Sequence, residues 1–320
     1  MSTRPFTDHV PVMLAEVMDA LAPKPGGCLL DGTVGGGGHA EAWLKASAPD
    51  GRLLGLDQDP AAIARCRERL ARFGDRATLV IARFDDLSLQ ADLHHFPAFD
   101  AVLFDLGISS DQLDDPSRGL ALRLDGPLDM RLSPEAAMSA ADLVNHLPEA
   151  ELADLIYRYG EEPLSRRIAR AVVAARPLAR TGELAELIAR VAPARNHRRG
   201  SRIHPATRTF QALRIAVNDE LAPIAPALEQ AVGRLAEGGR LAVISFHSLE
   251  DRIVKQTLRR MATGCSCPAE MRVCVCRPRP LIRLISGKAI QPTALEVEQN
   301  GRARSARLRA AIRINDQQAA

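Results

Sequence analysis

Leu29-Leu30-Asp31-Gly32-Thr33-Val34-Gly35-Gly36-Gly37-Gly38-His39-Ala40 joins an apolar run, an acid and four consecutive glycines, and a helix-forming segment, Ala40-Glu41-Ala42-Trp43-Leu44, follows. The order strand, glycine turn, helix is that of a nucleotide-binding βα unit. Such a turn needs backbone angles closed to other residues and lets a ligand approach the main chain. A second apolar run, Arg52-Leu53-Leu54-Gly55-Leu56-Asp57, also ends in an acid. An acid roughly 20 residues past the glycines is placed to hold ribose hydroxyls.

The glycines admit two readings. Gly35-Gly36-Gly37-Gly38-His39-Ala40 satisfies the dinucleotide pattern G-x-G-x-x-[GA], a cheap match within four glycines. The stretch from Asp31 to Gly37 resembles the first motif of S-adenosylmethionine (SAM) methyltransferases, although Thr33 stands where many such enzymes carry glycine. From these residues alone, a NAD oxidoreductase and a SAM-binding regulator without turnover remain alternatives to a methyltransferase.

Outward from this segment the βα rhythm continues. Pro60 to Phe73 reads as a helix, Ala77 to Ala82 as a third strand and Phe99 to Gly107 as a fourth, with an acid at Asp105. The alternation predicts a parallel sheet with right-handed crossovers. The rhythm stops between Leu113 and Ile203. There the patterns are helical: Ala136 to Asn145, Glu149 to Tyr159, Pro163 to Ala175 and Glu183 to Val191. A helix over Pro205 to Leu221 follows. Gly238-Gly239 is read as a helix end, and Arg240 to Phe246 as a fifth strand. Leu281 to Ile285 and Ser305 to Ile314 are read as a closing antiparallel hairpin.

The 320 residues are 46% hydrophobic, enough for a large core in one domain or two, and the net charge is only +3. Arginines crowd into Arg195-Asn196-His197-Arg198-Arg199-Gly200-Ser201-Arg202 and into Arg302-Ala303-Arg304 with Arg307 and Arg309. Each run is either a solvated face or a phosphate-binding patch. Aromatics make up 3%, which argues against a stacking platform for many bases. No segment approaches the ~20 apolar residues of a membrane span. Met1 to Val10 lacks the basic and then apolar profile of a signal peptide, so a cytoplasmic location is expected. Of six cysteines, Cys28 and Cys66 read as core. Cys265-Ser266-Cys267 and Cys274-Val275-Cys276 are C-x-C pairs, whereas structural zinc usually takes C-x2-4-C. No metal is assigned, and zinc on these four thiolates stays open as the alternative to an exposed loop.

Several further segments carry a resemblance. They are His9-Val10-Pro11-Val12-Met13-Leu14, Asp31-Gly32-Thr33 with Gly37-Gly38-His39, and Asp105-Leu106-Gly107-Ile108-Ser109-Ser110 with Gln112-Leu113-Asp114. Gly126-Pro127-Leu128-Asp129-Met130-Arg131, His204 to Ala212, and Ser245 to Arg252 complete the set. Together they resemble the bacterial small-subunit ribosomal RNA cytosine-N4 methyltransferase family, of the MraW type, nearly end to end.

The resemblance implies a class I, Rossmann-like α/β methyltransferase domain in two pieces, 1–112 and 204–320, around an inserted helical domain, 113–203, for RNA recognition. It implies SAM as cofactor, S-adenosylhomocysteine as product, and 16S rRNA in the small ribosomal subunit, rather than DNA, as partner. The target would be the N4 amine of one cytidine in the decoding centre. Carried over, the cofactor positions are Gly37, Gly38, His39, Asp57, Phe84, Asp105 and Gln112.

The chemistry adds candidates. The lone pair of cytosine N4 is delocalised into the ring, so the enzyme must supply acceptors for the amine hydrogens and positioning. Many amino-methyltransferases use a Pro-Pro-aromatic motif after the fourth strand, which is absent here. The acceptors expected instead are Asp105, Ser109, Ser110 or main-chain carbonyls. Phe246 is the candidate stacking partner and His247 the candidate proton acceptor. Arg199, Arg202, His204, Arg208 and Arg214 are candidate RNA contacts. The target must be unstacked to reach the cofactor.

Overall fold

The computed structural model describes residues 11–133, 136–192, 204–264, 267, 271, 276 and 278–315. They form two compact units. One draws on the chain up to Gly107 and again from Leu221, and the other is Ile108–Glu220. In chain order the first unit contains α1 (Leu14–Leu21), β1 (Cys28–Asp31), α2 (Gly38–Ala46), β2 (Arg52–Asp57), α3 (Pro60–Leu70), β3 (Ala77–Ile81), α4 (Leu87–Leu93) and β4 (Phe99–Asp105). The second contains α5 (Ser110–Asp114), α6 (Ala140–His146), α7 (Glu149–Gly160), α8 (Ser165–Ala174), α9 (Thr181–Val191) and α10 (Thr207–Asn218). The first then resumes with α11 (Ile224–Arg234), β5 (Leu235–Ser245), α12 (Ser248–Thr263), β6 (Ile282–Leu284), α13 (Ala294–Gln299) and β7 (Arg307–Arg313).

The first unit is built on a seven-stranded sheet in the order β3-β2-β1-β4-β5-β7-β6. The first five strands pair in parallel, and β7 runs antiparallel to both β5 and β6. This is the expected mostly parallel, Rossmann-like sheet with an antiparallel closure. The strands carry near-continuous apolar runs because both faces are covered. Leu30, Leu54, Val102, Phe104, Leu241 and Val243 pack on one face with residues of α4, α11 and α12. Their neighbours Leu29, Leu53, Ala101, Leu103, Ala242 and Ile244 pack on the other with residues of α1, α2 and α3. Strand order reverses between β1 and β4. That is where open α/β sheets bind ligands, beyond the strands' carboxyl ends.

Gly238-Gly239 does not end a helix. α11 stops at Arg234, and the glycine pair lies inside β5, where the pairing with β4 shifts register between Phe99 and Ala101. Gly238 takes φ +74, so the pair serves an irregularity in the strand.

The second unit has its own core, including Leu128, Leu143, Leu152, Ile156, Ile168, Leu184, Ile188 and Phe210. α6 starts at Ala140, later than the apolar pattern suggested. Ser139 and Asp142 cap it reciprocally, with Oγ accepting the Asp142 N–H at 3.2 Å and the carboxylate accepting the Ser139 N–H at 2.8 Å. α10, read from sequence as part of the first domain, packs within this unit. A Cβ on Gly160 would stand 2.6 Å from the Arg208 carbonyl oxygen, so glycine lets the backbones of α7 and α10 meet. Asn218 closes the unit. Its buried amide accepts the Leu132 N–H at 2.8 Å and donates to the carbonyls of Met130 and Arg214 at 2.8 and 2.9 Å. Among the described residues no helix is long and apolar enough to cross a membrane.

Candidate active site

Three acids terminate β1, β2 and β4 at one end of the sheet: Asp31, Asp57 and Asp105. Asp31 is 2% exposed and accepts the Thr33 N–H at 3.1 Å. Burial pushes it up to about 7, against that hydrogen bond and with help from the Asp57 charge. Asp57 accepts the Asp59 N–H on one oxygen at 2.9 Å and the Gly35 N–H on the other at 3.0 Å. Burial raises it to about 6, partly offset by those two donors. Asp105 is raised furthest, to about 8, by burial and then by the charges of Asp31 and Glu250. Its Oδ1 is buried without a hydrogen-bond partner.

The glycine turn is shaped by these neighbours. Gly35 and Gly37 sit at φ +50 and +77, in the left-handed region. A Cβ on Gly37 would stand 2.8 Å from Cys66 Sγ, and one on Gly38 would stand 2.3 Å from Pro11 Cγ. His39 is buried. Its Nε2 meets the Val12 carbonyl at 3.0 Å, and its Nδ1 lies 3.8 Å from Asp105 Oδ2. Thr33 explains its own departure from glycine: its Oγ1 accepts the Asp105 N–H at 2.6 Å, tying the tips of β1 and β4 together.

Phe84 packs edge-on to Phe104 with ring centroids 5.8 Å apart, on the apolar face beneath the β1 tip. At the end of β5, Phe246 is half-buried against the other core face. Its N–H donates to Glu250 Oε2 at 2.8 Å, and the His247 N–H reaches the same oxygen at 3.3 Å. His247 caps α12, its Nδ1 accepting the Glu250 N–H at 3.4 Å. In a neutral ring that leaves the proton on Nε2, which lies 3.1 Å from Glu250 Oε1. Both ring nitrogens therefore face Glu250, but only Nδ1 makes a hydrogen bond, as the cap of α12, and Nε2 is buried without a hydrogen-bond partner. Glu250 went unremarked in the sequence, although H-S-L-E has the spacing of a capping box.

The other candidates lie in the second unit. Ser109 and Gln112 form the capping box of α5: Ser109 Oγ accepts the Gln112 N–H at 3.3 Å, and Gln112 Oε1 accepts the Ser109 N–H at 2.9 Å. His204 Nδ1 accepts the Ala206 N–H at 3.2 Å just ahead of α10. Arg208 donates to the Glu161 carbonyl at 3.2 Å and stays half-exposed. Arg214 is not available for a phosphate. It is 15% exposed and grips the Glu220 carboxylate through Nε and Nη2, both at 2.9 Å. Arg307 and Arg309 are likewise committed, to Asp251 in the first unit. Burial works against the Asp251 carboxylate, but the two guanidinium groups outweigh it and hold it below the usual range. Arg199, Arg202, Cys265 and Cys274 lie outside the described residues.

Comparison with known proteins adds a family. The model of the MraW methylase family matches residues 6–314. The ribosomal RNA small subunit methyltransferase H of Syntrophobacter fumaroxidans is 52% identical over 313 residues, covering 97% of this chain and 98% of that protein. Its namesake from Thermomicrobium roseum is 51% identical over 311 residues, covering 96% and 94%. That from Heliobacterium modesticaldum is 50% identical over 310 residues, covering 96% and 98%.

Proposed function

This chain belongs to the MraW methylase family, and we propose that it methylates the N4 amine of a single cytidine in the decoding centre of 16S rRNA. At the coarser level it is a SAM-dependent methyltransferase acting on small-subunit rRNA. The cofactor part of the reading is supported chiefly by the convergence of Asp31, Asp57 and Asp105 around a glycine turn that is itself pinned to Asp57, and the rRNA part by the family.

The residues fit SAM. Gly37 and Gly38 give close access to the main chain, Asp57 offers oxygens for ribose hydroxyls, and Phe84 borders the adenine side. Asp105 holds a buried, unpartnered oxygen that suits a cationic ligand. His39 completes the set within this unit. When bound, SAM supplies an electrophilic methyl group.

The protein's own part is positioning and proton handling. Asp105 is the acceptor for an N4 hydrogen. Accepting it turns the nitrogen lone pair out of conjugation, and the carboxylate is the first resting place of the released proton. Its raised affinity for protons, with a midpoint near 8, matches that task. Phe246 is the surface against which the base stacks. His247 acts through Glu250, which fixes the Phe246-His247 backbone. The helical unit, with His204, Arg208 and the Arg199 and Arg202 segment, captures the RNA.

The test is the modified-nucleoside profile of small-subunit RNA from cells with and without the chain, read by mass spectrometry. N4-methylated cytidine should disappear from one decoding-centre position. An unchanged profile, or loss of a C5-methylated base, would overturn the proposal.

A further inference from the structure

Charge in the helical unit is segregated along the sequence. Residues 163–182 contain five arginines and no acid, and residues 187–218 contain seven arginines and no acid. Most of the unit's described arginines are nevertheless neutralised locally. Arg118, Arg123, Arg131 and Arg180 pair with Asp115, Asp114, Asp129 and Asp125, and Arg214 pairs with Glu220. Arg176 donates to the carbonyls of Val144 and Leu147. Arg166, Arg167 and Arg190 differ: they are exposed and have no ion-pair partner among the described residues.

The topology brings these three to one end. α7, α8 and α9 are joined by short connections and share one core, so they run alternately up and down. Contacts fix the sense. Arg170, past the middle of α8, lies 3.5 Å from Glu149 at the start of α7, and Arg176 after α8 reaches the end of α6. The opposite end therefore gathers the last turn of α7, the first of α8 and the last of α9. α10 starts there too, because Gly160 meets Arg208. Arg166 and Arg167 stand on the first turn of α8, Arg190 on the last turn of α9 and Arg208 on the first turn of α10. Tyr157, in the last turn of α7, is 60% exposed, unusual for an aromatic in a chain with so few. The acids at this end are compensated: Asp154 pairs with Arg158, and Glu162 is buried 4.0 Å from Arg208. Glu161 is exposed and gives its carbonyl to Arg208.

We propose that this end of the helical unit is the surface that holds the RNA backbone, with Arg166, Arg167, Arg190 and Arg208 on phosphates and Tyr157 stacked on an unpaired base. Arg166, Arg167 and Arg190, left unpaired by acids among the described residues, are free to displace counterions from phosphates; Arg208 adds its half-exposed guanidinium beside Glu162, and one exposed aromatic suits one splayed base. The proposal rests on the functional reading above and gives its RNA step a location.

The experiment uses the full-length enzyme and a 16S RNA transcript. Arg166→Ala, Arg167→Ala and Arg190→Ala are combined and compared with the same three positions changed to Lys. Each lost phosphate contact on single-stranded RNA flattens the log–log salt dependence by about 0.7, so the alanine variant should lose about 2 units of slope. Its KM for RNA should rise at least tenfold while SAM affinity and melting temperature hold, and the lysine variant should retain the slope. Tyr157→Ala should weaken RNA binding without changing the slope, and Tyr157→Phe should restore it. Salt plots parallel to wild type, whatever the affinity, would overturn the assignment. If the wild-type enzyme itself neither binds nor methylates the transcript or the intact small subunit, the functional reading fails instead.

Discussion

Asp57 Oδ2 accepts the backbone N–H of Gly35 at 3.0 Å, across 22 positions of sequence. The acid proposed to hold ribose thus also sets the turn proposed to admit the cofactor. Asp57→Ala should therefore weaken SAM binding by about 1.5–3 kcal/mol, the scale of hydrogen bonds to a charged group. Asp57→Asn, which keeps one oxygen acceptor, should lose less. Calorimetry with SAM decides: equal losses in the two variants would refute the double role, and no loss in either would remove Asp57 from the site.

The acid cluster makes a pH prediction. Asp57, Asp31 and Asp105 are raised to about 6, 7 and 8. The ordinary Asp value is about 3.9. These three acids thus bind more protons in the folded, ligand-free protein than in the unfolded chain between those limits, and their contribution to stability should fall as pH rises from ~4 to ~8. A sulfonium cation favours the ionised acids, so SAM affinity should climb from pH 6 to 8, and the uncharged thioether of S-adenosylhomocysteine should gain less. Asp105→Asn should flatten both trends. Melting curves and calorimetry across that range check this; pH-independent affinity in the wild type would refute it.

Glycines in different surroundings should respond in opposite directions. Gly37→Ala forces a side chain to φ +77 and into Cys66, so it should lower both melting temperature and SAM affinity. Gly233 lies in α11 with nothing within 4 Å of an added Cβ. Gly233→Ala should stabilise the protein by about 0.5–1 kcal/mol. Chemical denaturation of the two variants gives the comparison, and a destabilised Gly233→Ala would contradict the open surroundings.

Asn218 satisfies three backbone groups from inside the helical unit. Asn218→Ala leaves them buried and unpaired, at a cost of about 1–3 kcal/mol for each group that water cannot reach. Hydrogen exchange should accelerate over 128–133 and α10 while β1 and β4 stay protected. Uniform acceleration would mean that the two units unfold as one.

The sheet was legible because its strands are apolar runs ended by acids, and the glycine turn was legible because Gly35 and Gly37 need left-handed angles. Long-range pairings were not. Nothing near Arg309 in sequence announces Asp251, 58 positions away, so Arg307 and Arg309 read as an open basic run. Arg214 and Glu220 are only six residues apart, but they meet because Asp219 turns left-handed at φ +46 after α10. Gly238-Gly239 misled because the same pair that ends helices also relaxes a strand. Glu250 was missed because its work is on the main chain of Phe246 and His247, and the one signal for it, the capping-box spacing of H-S-L-E, starts from a histidine in place of the usual Ser or Thr.

The sheet is divided in the chain by the helical unit: β4 ends at Asp105, and its partner β5 begins at Leu235. During synthesis at about 5–20 residues per second, that separation amounts to several seconds or more. For that interval Ala101, Val102, Leu103 and Phe104 form an open edge with no neighbour on the β5 side, the kind of edge that recruits other nascent chains. The whole of the helical unit, Ile108–Glu220, is synthesised within the same interval, so all of it leaves the ribosome before the sheet can close.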